Sequence, residues 1–190
     1  MASRPLLQII IGSTRPGRLG PSLADWFAGV ARDQGDFEVE VVDLKEIALP
    51  LFDEPGHPMR GAYEHDHTKR WSATVTRADA IVIVLPEYNH SFSAAVKNAI
   101  DFLHHEWAYK PIGFVSYGGV AAGTRAVQAL KPTLTALKMV PVPESVNVPS
   151  FASHIDDDGV FNGPEGLVGA ANAMLGALRT WTETLAPRRS

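Results

Sequence analysis

The chain has 190 residues, 20% of them charged and 45% hydrophobic, proportions that suit one domain with a substantial core. A formal net charge of −4, with no basic face along the chain, argues against general nucleic-acid binding. There is no cysteine, which excludes disulfides, thiolate nucleophiles and Cys-ligated metals or iron–sulfur clusters, and fits a reducing cytoplasm.

The first element reads as a strand, "LLQIII" at 6–11. Its apolar run ends in a loop with arginines and not in a small-residue cleavage site, so we read a buried strand rather than a secretory leader. A helix is expected over 20–35, with Leu23, Phe27 and Val30 on one stripe. A strand at 37–44 and a weaker helix at 63–78, carrying Trp71 and Val75, come next. The strand at 79–86 holds Ile81-Val82-Ile83-Val84-Leu85, apolar on both faces as in a parallel sheet covered on both sides. Helix 93–107 places Val96, Ile100 and Leu103 inward, and strand 111–117 follows. Helix 124–138 carries Val127, Leu130, Leu134 and Leu137, with Pro132 expected to kink it. A strand at 139–148 and a helix at 164–186, with Leu167, Ala171, Leu175 and Leu178 inward, end the chain. No stretch approaches the roughly 20 apolar residues of a membrane span.

Strand–helix alternation repeated five times predicts an α/β fold: a single domain over 1–190, a flavodoxin-like, doubly wound five-stranded parallel sheet with helices on both faces. With right-handed crossovers the leading strand order is 2-1-3-4-5. Two long loops, 45–62 and 149–163, are of a length that is usually functional or mobile in a compact domain.

Ligands of such sheets bind beyond the carboxyl ends of the strands, where three polar or glycine-rich loops should meet. The first, after "III", is Gly12-Ser13-Thr14-Arg15, with Arg18 shortly beyond. It offers backbone N–H groups, hydroxyls, a helix N-terminus and two guanidinium groups to an anion, and a phosphate monoester suits that set. A Walker loop needs Gly-Lys-Ser/Thr, yet no lysine precedes Lys45, and the glycine spacing does not match the dinucleotide fingerprint. The plain alternative is a helix start with solvated arginines. The second loop, Pro86-Glu87-Tyr88-Asn89, presents an acid, an aromatic and an amide, or else is a turn with Ser93 as helix N-cap. The third, "SYGGVAAGTR", has glycines that admit a ligand close to the backbone or simply make turns.

Taken together, "GSTRPGR" after the first strand, "LPLFDEP" after the second, "PEYNHSFSAAVKNAIDFL" after the third and "SYGG" after the fourth resemble the NADPH-dependent FMN reductases. That family includes quinone, chromate and azo-dye reductases. The resemblance spans essentially the whole chain. It implies bound FMN and NADPH or NADH as co-substrate, with hydride passing through the flavin to free flavin, a quinone or another small oxidant. By position it implies that Ser13, Thr14, Arg15 and Arg18 hold the FMN phosphate. Pro86, Glu87, Tyr88 and Asn89 would line the isoalloxazine and ribityl chain, and Ser116, Tyr117, Gly118 and Gly119 would close the other side of the ring. Many members carry serine where Arg18 stands, asparagine where Gly20 stands, and Pro-Gly or Pro-Ala in place of Ser93-Ala94. No general acid or base is obligatory for hydride transfer, so no catalytic side chain is assigned. The resemblance also implies a cytoplasmic homodimer or homotetramer, and "HHEWAYK" at 104–110 is our candidate for subunit contact. An electron-carrier flavodoxin and a flavin-binding regulatory module remain the alternatives. His65, His67, His104 and His105 are read as surface and helix-end residues rather than metal ligands, and Asp156-Asp157-Asp158-Gly159 as a solvated turn.

Overall fold

A computed structural model describes residues 4–189. The core strand β1 (Leu6–Ile11) pairs in parallel on one side with β2 (Glu38–Asp43) and on the other with β3 (Ala80–Pro86). Beyond β3 lies β4 (Pro111–Tyr117), also parallel, and the spatial order β2-β1-β3-β4-β5 is the one expected from alternation and crossover handedness. Every residue of β3 and β4 is buried, as continuous apolar composition requires of strands covered on both faces.

The fifth position differs from expectation. Instead of one strand over 139–148, the chain makes β5 (Val140–Pro141) against Pro111 and Ile112, then β6 (Val146–Val148) against Val115–Tyr117. Pro143 stands between them and has no N–H to give a ladder, so the pairing lapses and resumes along the same edge.

Helices cover both faces. On one side α1 (Gly20–Gln34) and α6 (Glu165–Arg189) pack Leu23, Phe27, Leu175 and Leu178 against Ile9, Ile11 and Val82. On the other, α3 (Asp66–Arg77), α4 (Ala94–Asp101) and α5 (Thr124–Ala136) bury Trp71, Ile100 and Leu130 against Ile10, Ile81 and Phe114. A short helix not foreseen from the sequence, α2 (Leu44–Ile47), is capped by the Asp43 carboxylate, which accepts from the Lys45 N–H at 2.9 Å.

The expected helix over 93–107 stops at Asp101 and resumes as a single 3-10 turn, His105–Trp107. Neighbouring helical residues point about 100° apart, so the break lets Phe102 and Leu103 both turn inward. Trp107 ends up buried, its indole N–H donating to the Ile100 carbonyl at 3.1 Å. Trp107 therefore packs in the core, as one residue of the segment 104–110 named above as the candidate subunit contact. Among the described residues no helix is long and apolar enough to cross a membrane.

Candidate functional site

At the carboxyl end of the sheet a cleft of about 540 Å³ opens between four segments. Arg15 and Leu19 come from the loop after β1, Pro86, Glu87 and Tyr88 from the end of β3, and Tyr117, Gly118 and Gly119 from the end of β4. The fourth wall, Ser150 to Ser153 after β6, was not assigned from the sequence beyond the unusual length of loop 149–163. Its place is fixed by backbone bonds: Ser150 and Phe151 N–H donate to the Gly119 and Gly118 carbonyls, each at 3.0 Å. Phe151 also packs on Tyr117, ring centroids 4.7 Å apart, and stacks on Phe161 at 5.3 Å.

A cleft of similar volume, about 560 Å³, lies between residues 52–58 and the end of α4. Size alone does not choose between them; the donors do. In the loop after β1 the N–H groups of Ser13, Thr14, Arg15 and Gly17 donate to no group of the described chain. Ser13 Oγ is fully buried and makes no well-formed hydrogen bond there, with the Tyr117 hydroxyl beside it. A buried polar atom left without a well-formed bond is rare in folded proteins, and Ser13 is that case; the N–H groups of Thr14, Arg15 and Gly17 lie on exposed residues and are free to meet a ligand acceptor. Gly20 makes the arrangement feasible: a Cβ there would lie 2.5 Å from Ser13 Oγ and 2.9 Å from the Tyr117 hydroxyl. A larger residue at position 20 would therefore press on both hydroxyls. Burial pushes the Tyr117 phenol up to about 12, so it stays protonated and can donate.

The two arginines of the loop have different fates. Arg15 is exposed at the cleft wall, its Nη1 donating only to the Pro16 carbonyl at 3.1 Å. Arg18 is committed: Nη1 donates to Asp43 Oδ1 at 2.5 Å and to the Ser13 carbonyl at 2.6 Å, and Nη2 to Asp43 Oδ2. Burial raises the Asp43 carboxyl, and Arg18 with the Lys45 N–H outweighs it, so the carboxyl is held below its ordinary value. Arg18 is therefore not the free guanidinium that the sequence led us to expect.

The β3 end is ordered by its own turn. Tyr88 and Ser91 exchange both backbone hydrogen bonds at 2.9 Å, with Asn89 and His90 both left-handed at φ 50 and 65, as a two-residue hairpin turn demands. Asn89 sits at the exposed tip and does not line the cleft. Glu87 is tied to Arg125 of α5, Nε to Oε1 at 2.6 Å, and that guanidinium holds its carboxyl below the ordinary value. The pair joins the β3 turn to the helix that follows the glycine loop.

Thr14 faces a smaller neighbouring cleft with Leu44, Lys45 and Asn98. Ser116 is buried beneath the glycine loop, its hydroxyl donating to the Ala122 carbonyl at 2.8 Å. It shapes that loop and does not line the cleft. Ser93 caps α4, accepting from the Val96 N–H, and donates to the Gly12 carbonyl at 2.6 Å, so one side chain links the first two loops. The histidine pair at 65 and 67 lies against Asp53, with His67 Nε2 2.9 Å from Oδ1.

Comparison with known proteins bears on what this geometry serves. The family described as NADPH-dependent FMN reductase matches residues 5–153. An NAD(P)H-dependent FMN reductase of Schizosaccharomyces pombe is 42% identical over 137 residues, covering 71% of this chain and 68% of its own. One from Saccharomyces cerevisiae is 34% identical over 174 residues, covering 78% of this chain and 90% of its own. Among solved structures, the Paracoccus denitrificans flavoenzyme FerB, an NAD(P)H:(acceptor) oxidoreductase, superposes with a TM-score of 0.73 at 23% identity, covering 95% of this chain and 98% of its own.

Proposed function

The chain belongs to the family of NADPH-dependent FMN reductases, and from that premise we propose that it is an FMN-dependent NAD(P)H oxidoreductase acting on a small oxidant such as free flavin or a quinone. The observation that carries the assignment to this cleft is the free donor set: N–H groups at Ser13, Thr14, Arg15 and Gly17 around a buried Ser13 hydroxyl without a well-formed hydrogen bond. That set fits a phosphate monoester, and Arg15 adds a positive charge at the cleft wall. The apolar and aromatic surfaces of Leu19, Pro86, Tyr88, Tyr117 and Phe151 fit a planar ring system.

When bound, FMN supplies the redox chemistry, taking hydride from reduced nicotinamide and yielding it to the acceptor. The protein's residues do the rest. The loop 13–17 would hold the phosphate end, and Pro86 to Tyr88 with Tyr117 to Gly119 would orient the ring. The Gly119 and Val120 N–H groups give no bond within the described chain, which supports a role as donors to a negatively charged ring edge if FMN lies in this cleft. Phe151 and Leu19 exclude water from the apolar wall. One sheet with two covered faces supports reading the whole chain as a single FMN-binding unit. The absence of cysteine supports a reducing compartment such as the cytoplasm, and family membership supports a homodimer or dimer of dimers.

The test is direct. The purified protein should be yellow, or become so with FMN, and should deplete NADPH absorbance when FMN or a quinone is added. Colour without NADPH loss would replace the reductase with a carrier or sensor.

A further inference from the structure

Asp43 lies at the end of β2, beside Ile11 at the end of β1, and so flanks the loop that leaves β1. An uncompensated carboxylate there would repel a phosphate dianion in that loop. Instead Asp43 receives both terminal nitrogens of Arg18, a paired-fork contact that also delivers Arg18 Nη1 to the Ser13 carbonyl. Both side chains are largely buried, at 10% exposure for Arg18 and 18% for Asp43. The same carboxylate caps α2 through the Lys45 N–H. One guanidinium thus fixes the carbonyl side of the Ser13–Thr14 peptide, whose N–H face belongs to the free donor set.

We propose that Asp43 and Arg18 form a positioning clamp for the phosphate loop: Arg18 contacts no phosphate, and with Asp43 holds the Ser13–Thr14 peptide so that its N–H side and the Ser13 hydroxyl stay turned toward the anion. The inference rests on the reading that this loop holds the FMN phosphate. It assigns a role to Asp43, which is an acid and repels the ligand it helps to bind.

The sign of one substitution separates the clamp from direct ligation. Asp43→Asn keeps the shape and the α2 cap but weakens the grip on Arg18. If Arg18 touched the phosphate directly, removing the competing carboxylate would free it and tighten FMN binding. The clamp predicts the reverse, a loss of about ten-fold in FMN affinity, as expected when a charge-assisted hydrogen bond is given up. Arg18→Lys keeps the charge but cannot span two carboxylate oxygens and a carbonyl, so it should lose a similar factor. The double variant should be no worse than the poorer single one, because the two residues act as a unit.

The readout is fluorescence titration of the flavin-free protein with FMN and, in parallel, with riboflavin, which lacks the phosphate. Riboflavin affinity should stay unchanged in all three variants, whatever the broken ion pair costs in flavin-free melting temperature. Unchanged or tighter FMN binding by Asp43→Asn overturns the clamp. So does an equal loss for riboflavin, which would mean general loosening of the fold. A wild-type protein that binds riboflavin as well as FMN would instead overturn the phosphate reading beneath it.

Discussion

Gly118, Gly119 and Gly123 look equivalent in the sequence, yet the structure gives Gly119 and Gly123 opposite roles that substitution can separate. Gly123 is left-handed at φ 77, directly before α5, and a Cβ there would lie 2.8 Å from Tyr117 N, 2.9 Å from Tyr117 O and 3.0 Å from Ser116 Cβ. Those are backbone and Cβ atoms of β4, held between β3 and β6, and they cannot swing aside. Gly123→Ala therefore combines a left-handed alanine, at about 1–2 kcal/mol, with an overlap of about 1–3 kcal/mol. A loss near 3 kcal/mol in a chain of this size lowers the melting temperature by about 6–12 °C. Gly119 has nothing within 4 Å of its would-be Cβ and lines the cleft. Gly119→Ala should leave the flavin-free melting temperature within about 2 °C, since surface changes cost under about 0.5 kcal/mol. It should nevertheless weaken FMN binding, because the new methyl enters the space for the ring. Thermal unfolding by circular dichroism, without and with saturating FMN, reads both. The reasoning is refuted if Gly123→Ala melts with the wild type, or if Gly119→Ala destabilises the flavin-free protein as much.

Other variants probe the remaining walls and the opposite end of the sheet. Arg15→Ala should weaken FMN by about ten-fold or more and leave riboflavin unaffected, measured by the same titration; full flavin retention would remove Arg15 from the phosphate site. Phe151→Ala deletes a buried ring that packs on Tyr117 and Phe161, and should cost about 3–5 kcal/mol in urea unfolding while also weakening riboflavin. Lys110 is buried, its ammonium donating to the Val75 and Thr76 carbonyls at the end of α3, and burial lowers it from 10.5 to about 8. Between those values the unfolded chain binds more protons than the folded one, so this group's contribution to stability rises with pH across the window, by up to about 3 kcal/mol. The stability difference between wild type and Lys110→Met, followed by urea unfolding from pH 7.5 to 10.5, should move in favour of the wild type by roughly that amount; a difference that stays flat sinks the assignment.

Much of the site was legible because its chemistry sits next to strand ends. Ser13 and Arg15, Pro86 to Tyr88, and Tyr117 to Gly119 each lie within a few residues of the point where an apolar run stops, and parallel topology alone brings those points together. The wall from Ser150 to Ser153 was hidden because its approach depends on how the edge strand is interrupted. Only after Pro143 breaks the ladder does β6 pair with the upper half of β4 and carry Ser150 to Gly119. Pro143 in "MVPVPESVNV" was the signal for that break, whereas Pro141 sits within the edge strand β5. Asn89 and Ser116 belonged to the right loops but face elsewhere, one out at a turn tip and the other down into the fold, a distinction that residue type does not encode.

Arg15 and Arg18 show where local pattern stops being informative. They are three positions apart on one loop and carry the same group, so any reading by motif assigns them the same work. What separates them is an acid 25 residues on from Arg18, brought alongside by the register that sets Ile11 opposite Asp43. In a parallel pair the last residues of both strands emerge together, so an aspartate ending β2 necessarily borders the loop that leaves β1. A guanidinium whose tether reaches it will be captured, since a buried carboxylate left alone costs more than the loop's freedom is worth. Arg18 reaches; Arg15, nearer the strand and turned to the cleft, does not. The functional distinction between the two arginines is therefore a consequence of sheet register, and moving the acid by one residue along β2, to the opposite face of the strand, should release Arg18 and erase it.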